Sequence, residues 1–192
     1  MTKPARNLRY AIIGAGMAGI LAAIKLKQAG EEFTLYEKAA KLGGTWRDNR
    51  YPGLTCDVPS HAYTYSFEPY PEWQAYYAAG GEIQTYFEMV AAKYGVLDHF
   101  RFNSEVTGAH YDDATARWTI TLANGGKDEV DVVIAASGVL HHPRTPAIPG
   151  LDSFEGKAFH TARWDDSAPI DGAKVGLIGC GSTGIQIVTA IN

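Results

Sequence analysis

The stretch Arg9–Gly30, RYAIIGAGMAGILAAIKLKQAG, decides the fold. Arg9 to Ile13 reads as a short buried strand. Gly14, Gly16 and Gly19 follow at once as G-x-G-x-x-G. Ile20, Leu21, Ile24 and Leu26 then supply the apolar face of a helix, and Gly30 is placed to stop it. Phe33–Lys38, FTLYEK, reads as a second strand. Strand, helix and strand joined this closely make a βαβ unit, so the two strands are expected to be parallel. Each glycine has a task in such a turn. The first permits the bend, the second lets backbone approach a pyrophosphate, and the third lets the helix lie close to the strand. The helix N-terminus offers N–H groups and partial positive charge to an anion. Glu37 ends the second strand about 20 residues on, where a carboxylate accepts hydrogen bonds from a ribose. The competing reading is a structural glycine turn with Glu37 merely solvated. Agreement of strand, helix and acid favours a dinucleotide site.

From Ala39 to about Gly81 the chain is irregular and rich in glycine, proline and tyrosine. Loops of that length usually carry function or cover a site. The tyrosines between Tyr63 and Tyr77 are expected to be a packed cover. Ile83, Tyr86, Phe87, Val90 and Tyr94 fall at helical spacing and Gly95 ends them, predicting an amphipathic helix over the sheet. Short strands follow in Ser104–Asp112, Arg117–Ala123 and Glu129–Ser137, separated by DATA and NGGKD turns. They predict an antiparallel meander returning to an apolar strand, Val132 to Ala136. His141–Gly150, HHPRTPAIPG, is a proline-stiffened exit. Ala173–Asn192, AKVGLIGCGSTGIQIVTAIN, then repeats the opening design: strand, glycine turn, helix.

The expected fold is α/β: a Rossmann-like domain with an antiparallel β-meander, plus the start of a second Rossmann-like domain. The expected boundaries are 1–148, a linker over 149–171, and 172–192. The chain stops at Asn192 inside the second helix, and a strand with half a helix does not bury its own apolar faces. A fragment, or a further chain that completes the second domain, is expected.

Composition excludes several classes. Hydrophobic residues at 46% and charged ones at 20% describe a soluble globular chain. A net charge of -4 argues against nucleic acid, which needs a basic face. No apolar run spans a bilayer. Met1–Gly14 begins basic, but its apolar run is too short for a signal peptide. Cys56 and Cys180 have no paired motif, which predicts reduced structural thiols in a cytoplasmic protein. No metal site is expected.

Gly179, Gly181 and Gly184 repeat the glycine pattern. Two dinucleotide sites in one chain suggest a flavin and a nicotinamide cofactor, with hydride passing between them. Between them lies Phe154–Asp165, FEGKAFHTARWD, heavily equipped for a spacer.

GAGMAG, EKAAKLGGTW, RYPGLTCDVPSHAYTYSF, VVIAASG, FEGKAFHTARWD and GCGSTG occur in this order. Together they resemble the N-terminal part of a Baeyer-Villiger monooxygenase, a class of FAD- and NADPH-dependent enzymes. That family carries the fingerprint F-x-G-x-x-x-H-x-x-x-W followed by Pro or Asp. Phe154, Gly156, His160, Trp164 and Asp165 fill every fixed place. Related flavin-containing and N-hydroxylating monooxygenases share the Phe, Gly and His but generally lack the Trp-Asp ending.

The resemblance implies roles. Gly14, Gly16, Gly19 and Glu37 would hold the ADP part of FAD, with Val106 at the adenine end and Ser137 and Gly138 bringing a strand end close. Thr45 and Trp46 would lie along the flavin. Asp57 would sit near isoalloxazine and nicotinamide, with Val58 and Tyr63 lining the flavin. Gly179, Gly181, Ser182, Thr183 and Gly184 would bind the NADPH pyrophosphate. The implied reaction takes O2 and a small-molecule ketone through a flavin peroxide to an ester or lactone. Asp57 would orient the family's active-site arginine, which lies past the second glycine motif and outside this chain. A loop-capping carboxylate is the competing reading of Asp57, and its place in the cofactor-facing loop favours function. For His160 a hydrogen-bonded linker histidine is favoured over an acid–base role. Phe154, His160 and Trp164 are expected to pack against both domains and to couple NADPH arrival to domain movement. Arg47 and Asp48 stand where cyclohexanone-type members carry aromatics, which leaves the substrate open.

Three rivals remain. A dithiol–disulfide reductase needs a redox cysteine pair after GG, where Trp46 stands. An N- or S-oxygenating flavin monooxygenase shares most motifs. A truncated, catalytically inactive FAD-binding module is the third.

Overall fold

The computed structural model describes residues 8–192; the basic N-terminal run Met1–Asn7 lies outside them. The chain divides into two compact units, one comprising residues up to Gly44 with Thr85–Gly138, the other Thr45–Gln84 with Val139–Asn192.

The first unit is built on the opening βαβ. Strand β1 (Arg9–Ile13) pairs in parallel with β2 (Glu32–Tyr36) across helix α1 (Met17–Ala29). Ala11 and Ile12 are fully buried, as expected of a central strand covered on both faces. Helix α1 buries Gly19, Ile20, Ala23 and Ile24. Leu21, expected on that face, is 37% exposed, because it lies about 100° around the helix from Ile20. Leu26 is half-buried. Gly30 ends the helix in the left-handed conformation, φ 75. Its N–H donates to Lys27 O and that of Glu31 to Leu26 O, a Schellman closure.

The parallel sheet has the order β3-β2-β1-β7, with β3 at Phe100–Arg101 and β7 at Val132–Ala135. A separate antiparallel sheet orders β4 (Val106–Asp112), β5 (Arg117–Leu122) and β6 (Lys127–Val130). The single strand expected over Glu129–Ser137 breaks at Asp131. There Arg9 N–H donates to the Asp131 carboxylate at 2.9 Å and Asp131 N–H returns to Arg9 O at 2.9 Å. The chain thus changes sheets at one residue. β7 is an edge strand, which explains why its residues are only half-buried or exposed rather than a sealed apolar run.

Ala11, Tyr36, Ile120 and Val130 form the core between the two sheets, with Val106, Trp118, Leu122 and Val133 against it. Tyr36 is 1% exposed. Its hydroxyl donates to the Asp128 carboxylate, which also takes Arg9 Nη2 at 3.2 Å. Burial, then that bond and the charge on Asp128, push the Tyr36 phenol up to about 12. A raised phenol favours the fold below its unfolded pKa, near 10, and that contribution is lost as pH rises through the folded value. Wild-type stability is therefore expected to fall between pH ~10 and about 12. Tyr36→Phe should flatten that limb of the denaturation midpoint against pH; an identical limb would contradict the assignment.

Helix α3 (Gly80–Lys93) begins two residues before Glu82 and covers the predicted amphipathic segment up to Lys93, with Tyr94 in the closing turn. Ile83, Tyr86, Phe87 and Val90 are buried, Tyr94 half-buried, and Gly95 closes it at φ 62.

The second unit opens with α2 (Thr45–Asp48) and continues as the expected irregular segment. Its backbone bonds to itself. Cys56 N–H donates to Ala78 O, Ser60 N–H to Tyr76 O and Gly80 N–H to Leu54 O. Ser60, 1% exposed, also donates its hydroxyl to Ala75 O and Tyr76 O. Tyr65 and Trp73 are buried, as a packed cover requires, but Tyr76 and Tyr77 are 68% and 47% exposed. Helix α4 (Ser182–Ile191) closes the unit. The strand expected at Lys174–Ile178 carries no ladder. Among the described residues no strand of this unit lies beside it, and an extended segment without a neighbour cannot satisfy its N–H and C=O groups as a sheet does. Val175 and Ile178 are exposed accordingly.

Candidate functional site

The first glycine turn is shaped by backbone meeting backbone. Gly14 sits at φ 102, and its N–H donates to Tyr36 O at 2.8 Å. A Cβ there would lie 2.6 Å from Ala136 O and 3.4 Å from Ser137 Cα. The end of β7, leading into Ser137 and Gly138, therefore presses on the turn. A Cβ on Gly19 would lie 1.9 Å from Gly14 O. Gly16 differs. It is the N-cap of α1 with φ -80, its only near neighbour is Gly44 Cα at 3.8 Å, and no side chain caps the helix. Neither steric room nor backbone angle requires glycine at that position.

Gly43 and Gly44 complete this site and were not singled out from the sequence. Gly43 N–H donates to Ala15 O at 2.8 Å. Gly44, at φ 55, would bring a Cβ within 3.1 Å of Gly16 Cα. The GG pair ahead of Thr45 was the available signal. Glu37 is 4% exposed, so it is not a solvated group. One carboxylate oxygen accepts from Ala15 N–H at 2.8 Å and the other from Ala39 N–H at 2.9 Å. The acid is thus fixed to the glycine turn itself. Val106 packs on the core between the sheets.

The second turn, in the other unit, repeats this geometry. Gly179 takes φ 122, and a Cβ on Gly184 would lie 2.7 Å from Gly179 O. Gly181 is the N-cap of α4 with φ -75 and has nothing within 4 Å of a Cβ. Ile185 N–H donates to Gly181 O at 3.1 Å, as Ile20 N–H does to Gly16 O at 3.0 Å. Ser182 Oγ donates to Asp57 Oδ2 at 3.1 Å and Thr183 Oγ1 to Tyr51 Oη at 3.4 Å.

Thr45 opens α2. Next to it, Trp46 Nε1–H donates to Tyr63 Oη at 3.1 Å, the rings meeting edge-on at 5.5 Å. Burial pushes the Tyr63 phenol up, against the opposing pull of the Trp46 bond. Asp57 and Val58 are exposed; Cys56 between this loop and Ala78 is buried, and burial raises its thiol. Cys56 and Cys180 are both free thiols, but Cys180, in the second turn, is exposed.

In the linker, Phe154 is 61% exposed, its ring over Gly156, contrary to the expected packing. A glycine–phenylalanine contact of this kind shields the ring on one face only. His160 Nδ1 accepts from Ala162 N–H at 3.1 Å and caps the turn Thr161–Arg163. Trp164 meets Phe159 edge-on at 5.2 Å and lines an open groove of about 790 Å³ with Val188 and Ile191 of α4. Asp165 takes Lys157 Nζ at 2.8 Å and Ser167 N–H at 2.9 Å, which hold its carboxyl down at about 2. Among the described residues no three His, Cys, Asp or Glu side chains group as metal ligands, and no helix is long and apolar enough to cross a membrane.

Two glycine turns thus share one geometry, and each stands ahead of a helix. The chain belongs to the flavin-binding monooxygenase-like family, whose model matches residues 7–192. Baeyer-Villiger monooxygenases are among its relatives. A Baeyer-Villiger monooxygenase of Streptomyces coelicolor is 46% identical over 186 residues, covering 96% of this chain and 36% of the relative. The closed crystal structure of cyclohexanone monooxygenase superposes with a TM-score of 0.86 at 39% identity, over 96% of this chain and 36% of that one. OTEMO in complex with FAD and NADP matches with a TM-score of 0.86 at 39% identity, over 99% and 37%. The chain spans about a third of the length of the relatives it matches, from their N-terminal portion.

Proposed function

We propose that this chain holds FAD at the Gly14–Gly19 turn and NADPH at the Gly179–Gly184 turn, as the N-terminal portion of a monooxygenase that inserts one oxygen of O2 beside a ketone carbonyl. The observation that carries the reading is the pair Gly16 and Gly181. Gly14, Gly19, Gly179 and Gly184 are explained by positive φ or by backbone contact. Gly16 and Gly181 have ordinary φ and room for a Cβ. Both stand at a helix N-terminus, where a Cβ would occupy the approach of a pyrophosphate.

The chemistry FAD supplies when bound is acceptance of a hydride and activation of O2. The chain's own residues bind and orient. Each helix N-terminus would face a pyrophosphate. Glu37, a carboxylate fixed by two backbone N–H groups, would accept from ribose hydroxyls. Ser182 and Thr183 offer hydroxyls at the second cradle. The edge-on Trp46–Tyr63 pair is a stiff unit that would line the flavin, as the resemblance implies. Asp57 places a carboxylate on the loop that approaches the second cradle. His160, whose Nδ1 is engaged as an acceptor, serves the linker turn rather than proton transfer. The Trp-Asp ending at Trp164 and Asp165 supports oxygen insertion next to a carbonyl over N-oxygenation.

Adding FAD to the purified chain tests the binding. A saturable change in the visible flavin spectrum is expected, and a protein that leaves the spectrum unaltered would overturn the reading. In the polypeptide of the relatives' length that contains this chain, products from a cyclic ketone and a tertiary amine test the reaction. A lactone is expected; an N-oxide alone would assign the N-oxygenating branch.

A further inference from the structure

We propose that Gln186 is a positioning residue for the second dinucleotide site. It fixes the Tyr51–Asp57 loop on helix α4 and so holds the Asp57 carboxylate at that helix's N-terminus. The proposal rests on the nucleotide reading of the second glycine turn.

Gln186 stands one helical turn after Ser182, so the two side chains share a face. Its amide is used at both ends. Oε1 accepts from Tyr51 Oη at 3.0 Å, while Nε2 donates to Thr55 O at 3.0 Å and Thr55 Oγ1 at 3.1 Å. Between these anchors, Gly53 at φ 76 would bring a Cβ within 2.6 Å of Gln186 O. The loop therefore lies backbone to backbone on the helix. Two residues past Thr55, Asp57 Oδ2 takes the Ser182 hydroxyl. A carboxylate is favoured there by the helix dipole, and a pyrophosphate is favoured there for the same reason. The two anions compete for Ser182. An arriving pyrophosphate has to turn Asp57 aside, and Gln186 keeps the loop seated while it does so. The fixed carboxylate then stays beside the cradle and weakens anion binding for as long as the clamp is closed.

A double-mutant cycle on the full chain, with NADP+ titrated by calorimetry, tests this. Removing one negative charge a few ångströms from a pyrophosphate, Asp57→Asn, should tighten NADP+ about tenfold. In a Gln186→Leu background, where the loop is released, the same change should matter less than about twofold. A Gln186 that served stability alone would leave the Asp57→Asn effect equal in both backgrounds, and that result overturns the proposal. Tyr51→Phe, which removes one anchor and keeps the ring, covers the case of an unfolded Gln186→Leu and should give an intermediate coupling. The clamp is also read without ligand. Amide exchange at residues 54–57 should rise about tenfold in Gln186→Leu, and unchanged protection refutes the clamp whatever binds. Raised exchange with no NADP+ uptake by any variant, wild type included, removes the nucleotide reading and with it the positioning role.

Discussion

Gly19→Ala is expected to destabilise the first unit by about 3 kcal/mol, whereas Gly16→Ala should cost less than about 1 kcal/mol. The two positions are three residues apart in one motif, one expected to face a pyrophosphate and the other to let the helix lie close to the strand. Their surroundings differ accordingly. The Gly19 Cβ would stand 1.9 Å from the Gly14 carbonyl oxygen, a backbone atom that cannot swing away. Either α1 lifts off the turn or β1 shifts, and both disturb Ile20 and Ile24, which are fully buried. The better helix propensity of alanine, about 1 kcal/mol, offsets only part of this. At Gly16 the Cβ meets one Cα at 3.8 Å, which is ordinary contact. The expected remainder is the mild penalty of alanine at an N-cap. Denaturant unfolding followed by far-UV circular dichroism checks the contrast. Equal losses at the two positions would mean that packing explains both glycines.

Glu37→Ala should be nearly as damaging, at roughly 3–5 kcal/mol. The substitution strips the acceptor from two N–H groups, Ala15 and Ala39, that now bond to a buried carboxylate. Bonds to a charged acceptor are each worth about 1.5–3 kcal/mol, and a stranded N–H bears its own desolvation cost. Glu37→Gln keeps one oxygen and turns an NH2 toward the other donor, so about half the loss is expected. Midpoint shifts in urea for the two variants check this order. A midpoint unchanged by Glu37→Ala would return the residue to a solvated role and leave the ribose reading without its anchor.

The opening βαβ was legible because every local cue agreed. Ala11 and Ile12 mark a buried strand, the three glycines mark the turn, and Gly30 in the left-handed conformation marks the helix end. Helix α3 was legible for the same reason, from Ile83, Tyr86, Phe87 and Val90. The break at Asp131 was not, since Val130 and Val132 continue one apolar run. Only the exchange of bonds between Asp131 and Arg9, 122 residues apart, reveals the change of sheet. The segment Lys174–Ile178 carries strand composition, yet a strand is a property of neighbours as much as of sequence. Phe154 shows a related gap: its type suggests burial, while its fractional exposure is set by what lies beside it. Within the candidate site, the glycine spacing located both turns ahead of α1 and α4. The motif already divides those glycines between backbone packing and ligand approach, and the space around each Cβ puts distances on that division. The clamp of Gln186 on Tyr51 and Thr55 joins residues distant in sequence and of ordinary type, so no spacing announces it.

On the proposed reading, the space beside Gly16 is kept for a dinucleotide. Titration of FAD into wild-type chain and Gly16→Ala, followed by flavin fluorescence at matched stability, tests it most directly. Saturable binding to wild type is expected, with at least about tenfold weaker binding to Gly16→Ala, equivalent to about 1.4 kcal/mol or more. Equal affinities in the two proteins, or no binding to wild type, would contradict it.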